Sequence, residues 1–280
     1  MKKAISIWSF SNKTIKQSMD IAKQVGFEGI ELALNETGEM SLESLDEEIL
    51  EIYNYSKQIA LKIHSVASGL YWSYSFTSND EVEREKAISI AIKQIKMAKL
   101  LKANSVLIVP GAVGVDFIEN REPIRYDIAY DRALAAINSI KEEAEKAKIH
   151  IGIENVWNKF LVSPLEMRDF IDKIDSPYVG AYFDVGNVLF NGYPEHWIEI
   201  LNKRIKKVHF KDYRKNPGGL NSFVDLLSGD VDWIKVMEAF NNINYDGWVT
   251  AEMLPPYTHY SEQIISNTYG SMCKIVGKGV

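Results

Sequence analysis

The chain is nearly free of cysteine: Cys273 is the only one in 280 residues. An intramolecular disulfide is therefore excluded, and so is a metal cluster built on thiolates. This composition fits a reducing compartment, and the cytoplasm is the expected location. Long apolar runs are also missing. None approaches the roughly 20 residues needed to span a bilayer. Behind Met1-Lys2-Lys3, the apolar stretch 4–8 is broken at once by Ser9, Ser11, Asn12 and Lys13, so it does not read as a secretion signal. No membrane partner is expected. Positive charge is in short supply, with 32 Lys and Arg against 38 Asp and Glu. A protein that tracks a phosphate backbone normally carries the opposite balance, so no nucleic-acid partner is expected either. Linkers and low-complexity segments are absent too, and residues 1–280 read as one domain.

What is present is a regular alternation. Apolar residues make up 46% and charged residues 25%, enough for a full core. Short strand-like runs fall at 4–8, 29–34, 61–66, 105–109, 149–154, 179–184, 205–210 and 248–252. Between them lie stretches with apolar residues at three-to-four spacing, which predict helices over 14–25, 42–59, 80–101, 130–147, 196–202, 231–240 and 262–275. One more is signalled by Ser163-Pro164-Leu165-Glu166, which combines a Ser N-cap, Pro at N1 and Glu at N3. Eight βα units in strict alternation imply a parallel sheet, and at this length a closed (β/α)8 barrel of the α/β class. An open doubly wound sheet normally carries a Gly-rich phosphate turn after its first strand. Here that turn is Ser9-Phe10-Ser11-Asn12, without glycine.

Barrel enzymes keep their chemistry at the C-terminal ends of the strands. Strands five to eight end in Glu154, Asp184, His209 and Glu252. Taken singly, a carboxylate there can be a helix cap, and a histidine can be an ordinary buried one. Together, three carboxylates at one mouth would repel each other and raise their own pKa values unless a cation joined them. The mixed oxygen and nitrogen set suits one catalytic divalent ion with open coordination positions: Mn²⁺ first, with Co²⁺, Mg²⁺ or Zn²⁺ as alternatives.

The segments Gly152-Ile153-Glu154-Asn155, Phe183-Asp184-Val185-Gly186-Asn187, Val208-His209-Phe210-Lys211-Asp212, Gly229-Asp230-Val231-Asp232-Trp233 and Gly247-Trp248-Val249-Thr250-Ala251-Glu252 carry a resemblance. The chain resembles the xylose-isomerase-like TIM-barrel superfamily of sugar and sugar-phosphate isomerases and epimerases. It is most similar to the group that holds L-ribulose-5-phosphate 3-epimerase and D-tagatose/D-psicose 3-epimerase. The resemblance implies metal ligation by Glu154, Asp184, His209 and Glu252. It also implies that Glu154 and Glu252 double as the acid/base pair. Free-ketose epimerases of that group place a histidine three residues after the strand-six Asp, where this chain has Asn187. That difference points toward a phosphorylated sugar.

Several further residues are candidates for the substrate. His64, read as the end of strand three, either meets a hydroxyl or phosphate or packs beneath the site. Trp8, Phe10, Tyr71 and Trp72 either wall the cavity or belong to the core. Lys211, Arg214 and Lys215 after strand seven either meet a substrate anion or form a solvated loop. Glu31 at strand two is similarly open. The expected partner is a small sugar or sugar phosphate, and a homodimer or homotetramer is the assembly considered. Rival readings keep the barrel. An inosose-type dehydratase or a hydroxypyruvate isomerase would use the same metal. An AP endonuclease would need a histidine-rich multi-zinc cluster, and this chain has only five histidines. A non-catalytic sugar-binding barrel would not need two flanking glutamates.

Overall fold

Strands buried on both faces need apolar side chains on both, which is why the short continuous runs in this sequence pair as a parallel sheet. The computed structural model describes residues 1–119 and 121–277. Its elements in chain order are β1 (Lys2–Ser6), α1 (Ile15–Val25), β2 (Gly29–Leu34), α2 (Asp46–Gln58), β3 (Lys62–Ser68), α3 (Glu81–Leu100), β4 (Ser105–Ile108), α4 (Tyr126–Ala147) and β5 (His150–Glu154). Then follow α5 (Pro164–Ile174), β6 (Val179–Asp184), α6 (Val185–Val188), α7 (Pro194–Leu201), β7 (Ile205–Phe210), β8 (Asp212–Tyr213), β9 (Phe223–Val224), α8 (Trp233–Asn242), β10 (Trp248–Ala251) and α9 (Ser261–Val276). Eight strands close a barrel in the order β1-β10-β7-β6-β5-β4-β3-β2. Every barrel pairing is parallel. The helices surround it, and one apolar core joins the strands to their inner faces. No helix among the described residues is long and apolar enough to cross a membrane.

Local chemistry sets the helix ends. Thr14 and Gln17 form a reciprocal capping box at the start of α1, and Gly26 closes that helix at φ 117°, where its N–H bonds back to the Ala22 carbonyl. Ser163 caps α5 as its sequence signal indicated, accepting from the Glu166 N–H. The Glu166 carboxylate, however, accepts from Tyr126 Oη and Val162 N instead of closing the box. Asp46, Glu47 and Glu48 gather in the first turn of α2, where the helix dipole favours negative charge.

Boundaries moved in four informative places. The first strand stops at Ser6, because residues Ile7–Ser9 coil into a 3-10 turn under a Ser6 cap. α2 begins at Asp46 and not at 42, where that acidic turn starts the helix. α4 begins one turn before Tyr130, at Tyr126. β3 runs on to Ser68, so His64 lies inside the strand and not at its end. The small antiparallel pair β8–β9 was not expected, since two residues per strand leave no periodicity to read.

Candidate metal centre and active site

Residues two apart on a strand share a face, so each inward-facing side chain at the barrel mouth sits above another one. The upper layer on strands β5, β6, β7 and β10 is Glu154, Asp184, His209 and, one residue beyond Ala251, Glu252. The layer beneath is Gly152, Tyr182, Lys207 and Thr250. Asp184 and His209 are register partners, and the Glu252 N–H bonds to the Phe210 carbonyl. One ligating atom from each of the four upper residues lies within 4.8 Å of the others, and all four residues are buried. The four predicted strand-end groups therefore do meet at one point.

His209 is held by a residue from the opposite side of the barrel. Its Nε2 lies 2.9 Å from Glu31 Oε1. A carboxylate facing Nε2 accepts its hydrogen, which leaves Nδ1 as the nitrogen aimed at the cluster. Nδ1 is 3.2 Å from Glu252 Oε2, 3.5 Å from Glu154 Oε1 and 3.8 Å from Asp184 Oδ2. The other Glu31 oxygen accepts from Tyr182 Oη. Gly152 makes room for that arrangement, because a Cβ on it would fall 2.8 Å from the Tyr182 ring. Asn155 ties the strand ends together: its Oδ1 accepts from Asp184 N at 2.8 Å and its Nδ2 donates to Asp184 O at 2.9 Å.

The electrostatics of the cluster call for positive charge. Burial pushes Glu154 up to about 7, with Glu252 adding to the rise and His209 opposing it. Burial also raises Asp184, against the pull of Lys211. For Glu252 burial is outweighed by Lys211 and His209, which hold it down at about 2. Burial alone would lower His209, yet Glu31 and Glu252 raise it well above the ordinary histidine value. Lys211 Nζ sits 2.5 Å from Glu252 Oε2 and 3.3 Å from Asp184 Oδ2, a close ion pair that lacks hydrogen-bond alignment at Glu252. Asp184 Oδ2, His209 Nδ1 and Glu252 Oε2 are thus buried without an aligned hydrogen bond, the Lys211 ammonium being the cation that the two carboxylate oxygens face. Buried polar atoms normally find one. Three such atoms aimed at one point, beside a fourth carboxylate, are a donor set that fits a divalent ion, so this cluster is able to hold a metal.

Above the cluster opens a cavity of about 590 Å³. Trp8, Trp72, Asn187 and Lys211, four of the substrate candidates, line it. Phe117, Trp157, Phe223 and the segment 254–256 line it as well; they lie on loops and on the two-residue strand β9, whose approach to the mouth leaves no trace in the strand pattern. Asn187 acts as a brace. Its Nδ2 donates to the Asn155 carbonyl, its N–H to Asp184 Oδ1, and its carbonyl accepts from Trp157 Nε1.

Three substrate expectations need correction. His64 is buried below the site, stacked on Trp248 at 4.7 Å with Nε2 3.1 Å from Thr250 Oγ1, and it does not reach the cavity. Arg214 is exposed and spends its Nε on the Ser228 carbonyl. Lys215 lies over the Tyr193 ring, also away from the cavity. Position after strand seven could not distinguish inward from outward here, because the β8–β9 pair redirects the chain. Tyr71 belongs to the core, its Oη donating to Gln94. Glu31, left open by the sequence, takes the supporting position on His209 described above.

A barrel whose mouth gathers one imidazole and three carboxylates belongs to the class of α/β barrels suited to one catalytic divalent ion. The family described as Xylose isomerase-like TIM barrel matches residues 19–266, and the chain belongs to it. Among relatives, SgbU of Escherichia coli (strain K12), provisionally named L-ribulose-5-phosphate 3-epimerase, is 25% identical over 242 residues, covering 83% of this chain and 81% of that protein. Inosose dehydratase of Bacillus thuringiensis (strain Al Hakam) is 24% identical over 161 residues, 51% of this chain and 53% of that protein. Among solved structures, a D-psicose 3-epimerase determined in the presence of D-fructose superposes with a TM-score of 0.82 at 16% identity, covering 99% of this chain and 100% of that one. The IOLI protein with a bound zinc atom also gives 0.82 at 16% identity, with 99% of each chain covered. At these identities the structures speak for the fold.

Proposed function

We propose that this chain is a divalent-metal-dependent isomerase or epimerase of a small sugar or sugar derivative, with a ketose 3-epimerase as the first reading. The observation that carries it is the convergence of buried Glu154, Asp184, His209 and Glu252, each offering one ligand atom to a common point, on the floor of a sugar-sized cavity. These four residues would hold the ion, with Mn²⁺ the first choice. When bound, the ion supplies positive charge that stabilises the negative charge developing on oxygen as a proton leaves the neighbouring carbon. Glu154 and Glu252 do the proton work. They stand on β5 and just past β10, with β6 and β7 between them. One carboxylate takes the proton from the carbon beside the carbonyl, and the other returns a proton from the opposite face, which inverts that carbon. Asp184 and His209 are ligands only. Trp8 and Trp72 place the sugar, and Asn187 holds the Trp157 wall. Such an enzyme is expected to work in the cytoplasm on a small-molecule substrate.

The test is incubation of the manganese-loaded protein with ketoses and ketose phosphates in deuterated water, followed by NMR. Deuterium entering one carbon next to the carbonyl, with the epimer accumulating, supports the reading. No exchange with any of them, while one metal per chain is bound, overturns it. The similarity to inosose dehydratase over about half the chain favours a second reading, dehydration of a cyclic keto polyol on the same residues. That reaction would form a product absorbing in the ultraviolet, which epimerisation does not.

A further inference from the structure

The space above the cluster is larger than one sugar needs, and its outer part has the wrong chemistry for a phosphate. A second compartment of about 460 Å³ continues outward from the first, sharing Phe117, Val156, Trp157, Asn187 and Leu220 as walls. Each compartment falls in the range of about 300–1,000 Å³ typical of a whole small-ligand site. Trp157 stands between them, fixed by its bond to the Asn187 carbonyl, with Phe190 5.0 Å away on the outer side and Phe223 5.2 Å away on the inner side. Val162, Val188 and Trp197 extend the apolar lining outward.

Charge excludes the other obvious occupant. Among the described residues lining the two compartments, the cations are Lys159 and Lys211. They face three carboxylates of the same lining, Asp116, Glu154 and Glu252, so the walls carry more negative than positive side chains. A phosphate brings about −1.5 to −2 charges and needs cations free to meet it. An aromatic ring needs flat apolar walls, and here they are aromatic themselves.

We infer that the site is built for an uncharged keto sugar joined to an apolar, aromatic-sized substituent, with the carbonyl-bearing sugar over the Glu154–Glu252 cluster and the substituent in the outer compartment between Trp157, Phe190 and Leu220; simple glycosides then serve as binding probes and not as substrates. This inference rests on the sugar isomerase reading and narrows its substrate class. Phosphorylated monosaccharides are then poor ligands.

Calorimetry on the manganese-loaded full chain tests it, with 4-nitrophenyl and methyl glycosides of the gluco, galacto and manno series and the matching sugar 6-phosphates as probes. The aryl glycoside of at least one series should bind ten times or more tighter than its methyl counterpart, a difference of about 1.4 kcal/mol. Phe190→Ala and Leu220→Ala, both at exposed positions, should each cut that preference below threefold, and Phe190→Ala, which lines the outer compartment and not the inner one, should leave the methyl glycoside unchanged. Four results overturn the inference: equal binding of aryl and methyl glycosides; no aryl glycoside bound in any series; a 6-phosphate bound more tightly than its parent sugar; or a preference untouched in both variants. Sedimentation closes the remaining route. If the wild type is a dimer that Phe190→Ala dissociates and no aryl preference exists, the outer compartment is covered by a second copy, and the inference falls. Loss of deuterium exchange with the aryl preference intact sinks the isomerase reading instead.

Discussion

The two halves of the barrel are built to different purposes. Strands β1 to β4 end in Ser6, Leu34, Ser68 and Ile108, none of them ionisable, while β5, β6, β7 and β10 lead into Glu154, Asp184, His209 and Glu252. The first half contributes surface instead. Trp8 follows β1, Trp72 follows β3 and Phe117 follows β4, and all three face the cavity. Its one buried carboxylate at this level, Glu31, is turned to His209 and away from the cavity. Concentrating the carboxylates on four neighbouring strands brings their ligating atoms within one coordination sphere. The opposite wall is mostly apolar, with Trp8, Trp72, Leu107, Val109 and Phe117 facing the cavity. On the function proposed above, the second half would carry the chemistry, and the first half would place the substrate and steady the ligands.

The largest expected effect would break that division at its centre. Glu154→Gln and Glu252→Gln each keep the shape and one oxygen but cannot accept a proton. Each should lower the deuterium-exchange rate by roughly 100-fold or more, with the circular dichroism spectrum unchanged. A variant that keeps near-normal exchange would remove that residue from the acid/base pair.

Next in size is the one strut that crosses between the halves. Glu31→Gln replaces an obligate acceptor with an amide that is free to flip, so the His209 ring loses its fixed orientation. Metal affinity, measured by competition with a chromophoric chelator, should fall about 10- to 100-fold. Asp184→Ala combined with His209→Ala should abolish stoichiometric metal, read by elemental analysis. Unchanged affinity in Glu31→Gln would show that His209 is positioned by packing alone, for instance against Tyr182, whose ring centroid is 4.7 Å away.

A smaller effect belongs to the wall. Trp72→Ala should raise KM by roughly five- to tenfold and move kcat far less, because an aromatic face contributes about 0.5–1.5 kcal/mol beyond its area. A kcat loss as large as that of the glutamate variants would mean the first half takes part in chemistry. The smallest effect is none: Arg214→Ala should change kcat/KM less than twofold for ribulose and for ribulose 5-phosphate alike, since its guanidinium bonds the Ser228 carbonyl outside the cavity. A selective loss for the phosphate would restore the basic loop to the mouth.

The sequence by itself determined the elements that repeat. Parallel strands leave continuous apolar runs and the helices leave a three-to-four spacing, so eight units could be counted without coordinates, although the ends of β1 and β3 were misplaced. Glu154, Asp184, His209 and Glu252 were legible because the barrel places strand ends at a common level. What only the tertiary structure decided depends on direction across the barrel. Whether His64 stops a strand or lies within one turns on where β3 ends: the pairing with β2 shifts register between Ile30 and Glu31, passes over His64, and resumes from Ser65 to Ser68. Glu31 meets His209 from 178 residues away, a distance along the chain that no local pattern encodes. Arg214 and Lys215 are turned outward by a two-residue antiparallel pair too short to leave a period. Trp157, Phe117 and Phe190 come together from three different loops, and loops carry no repeating signal from which their meeting could be read.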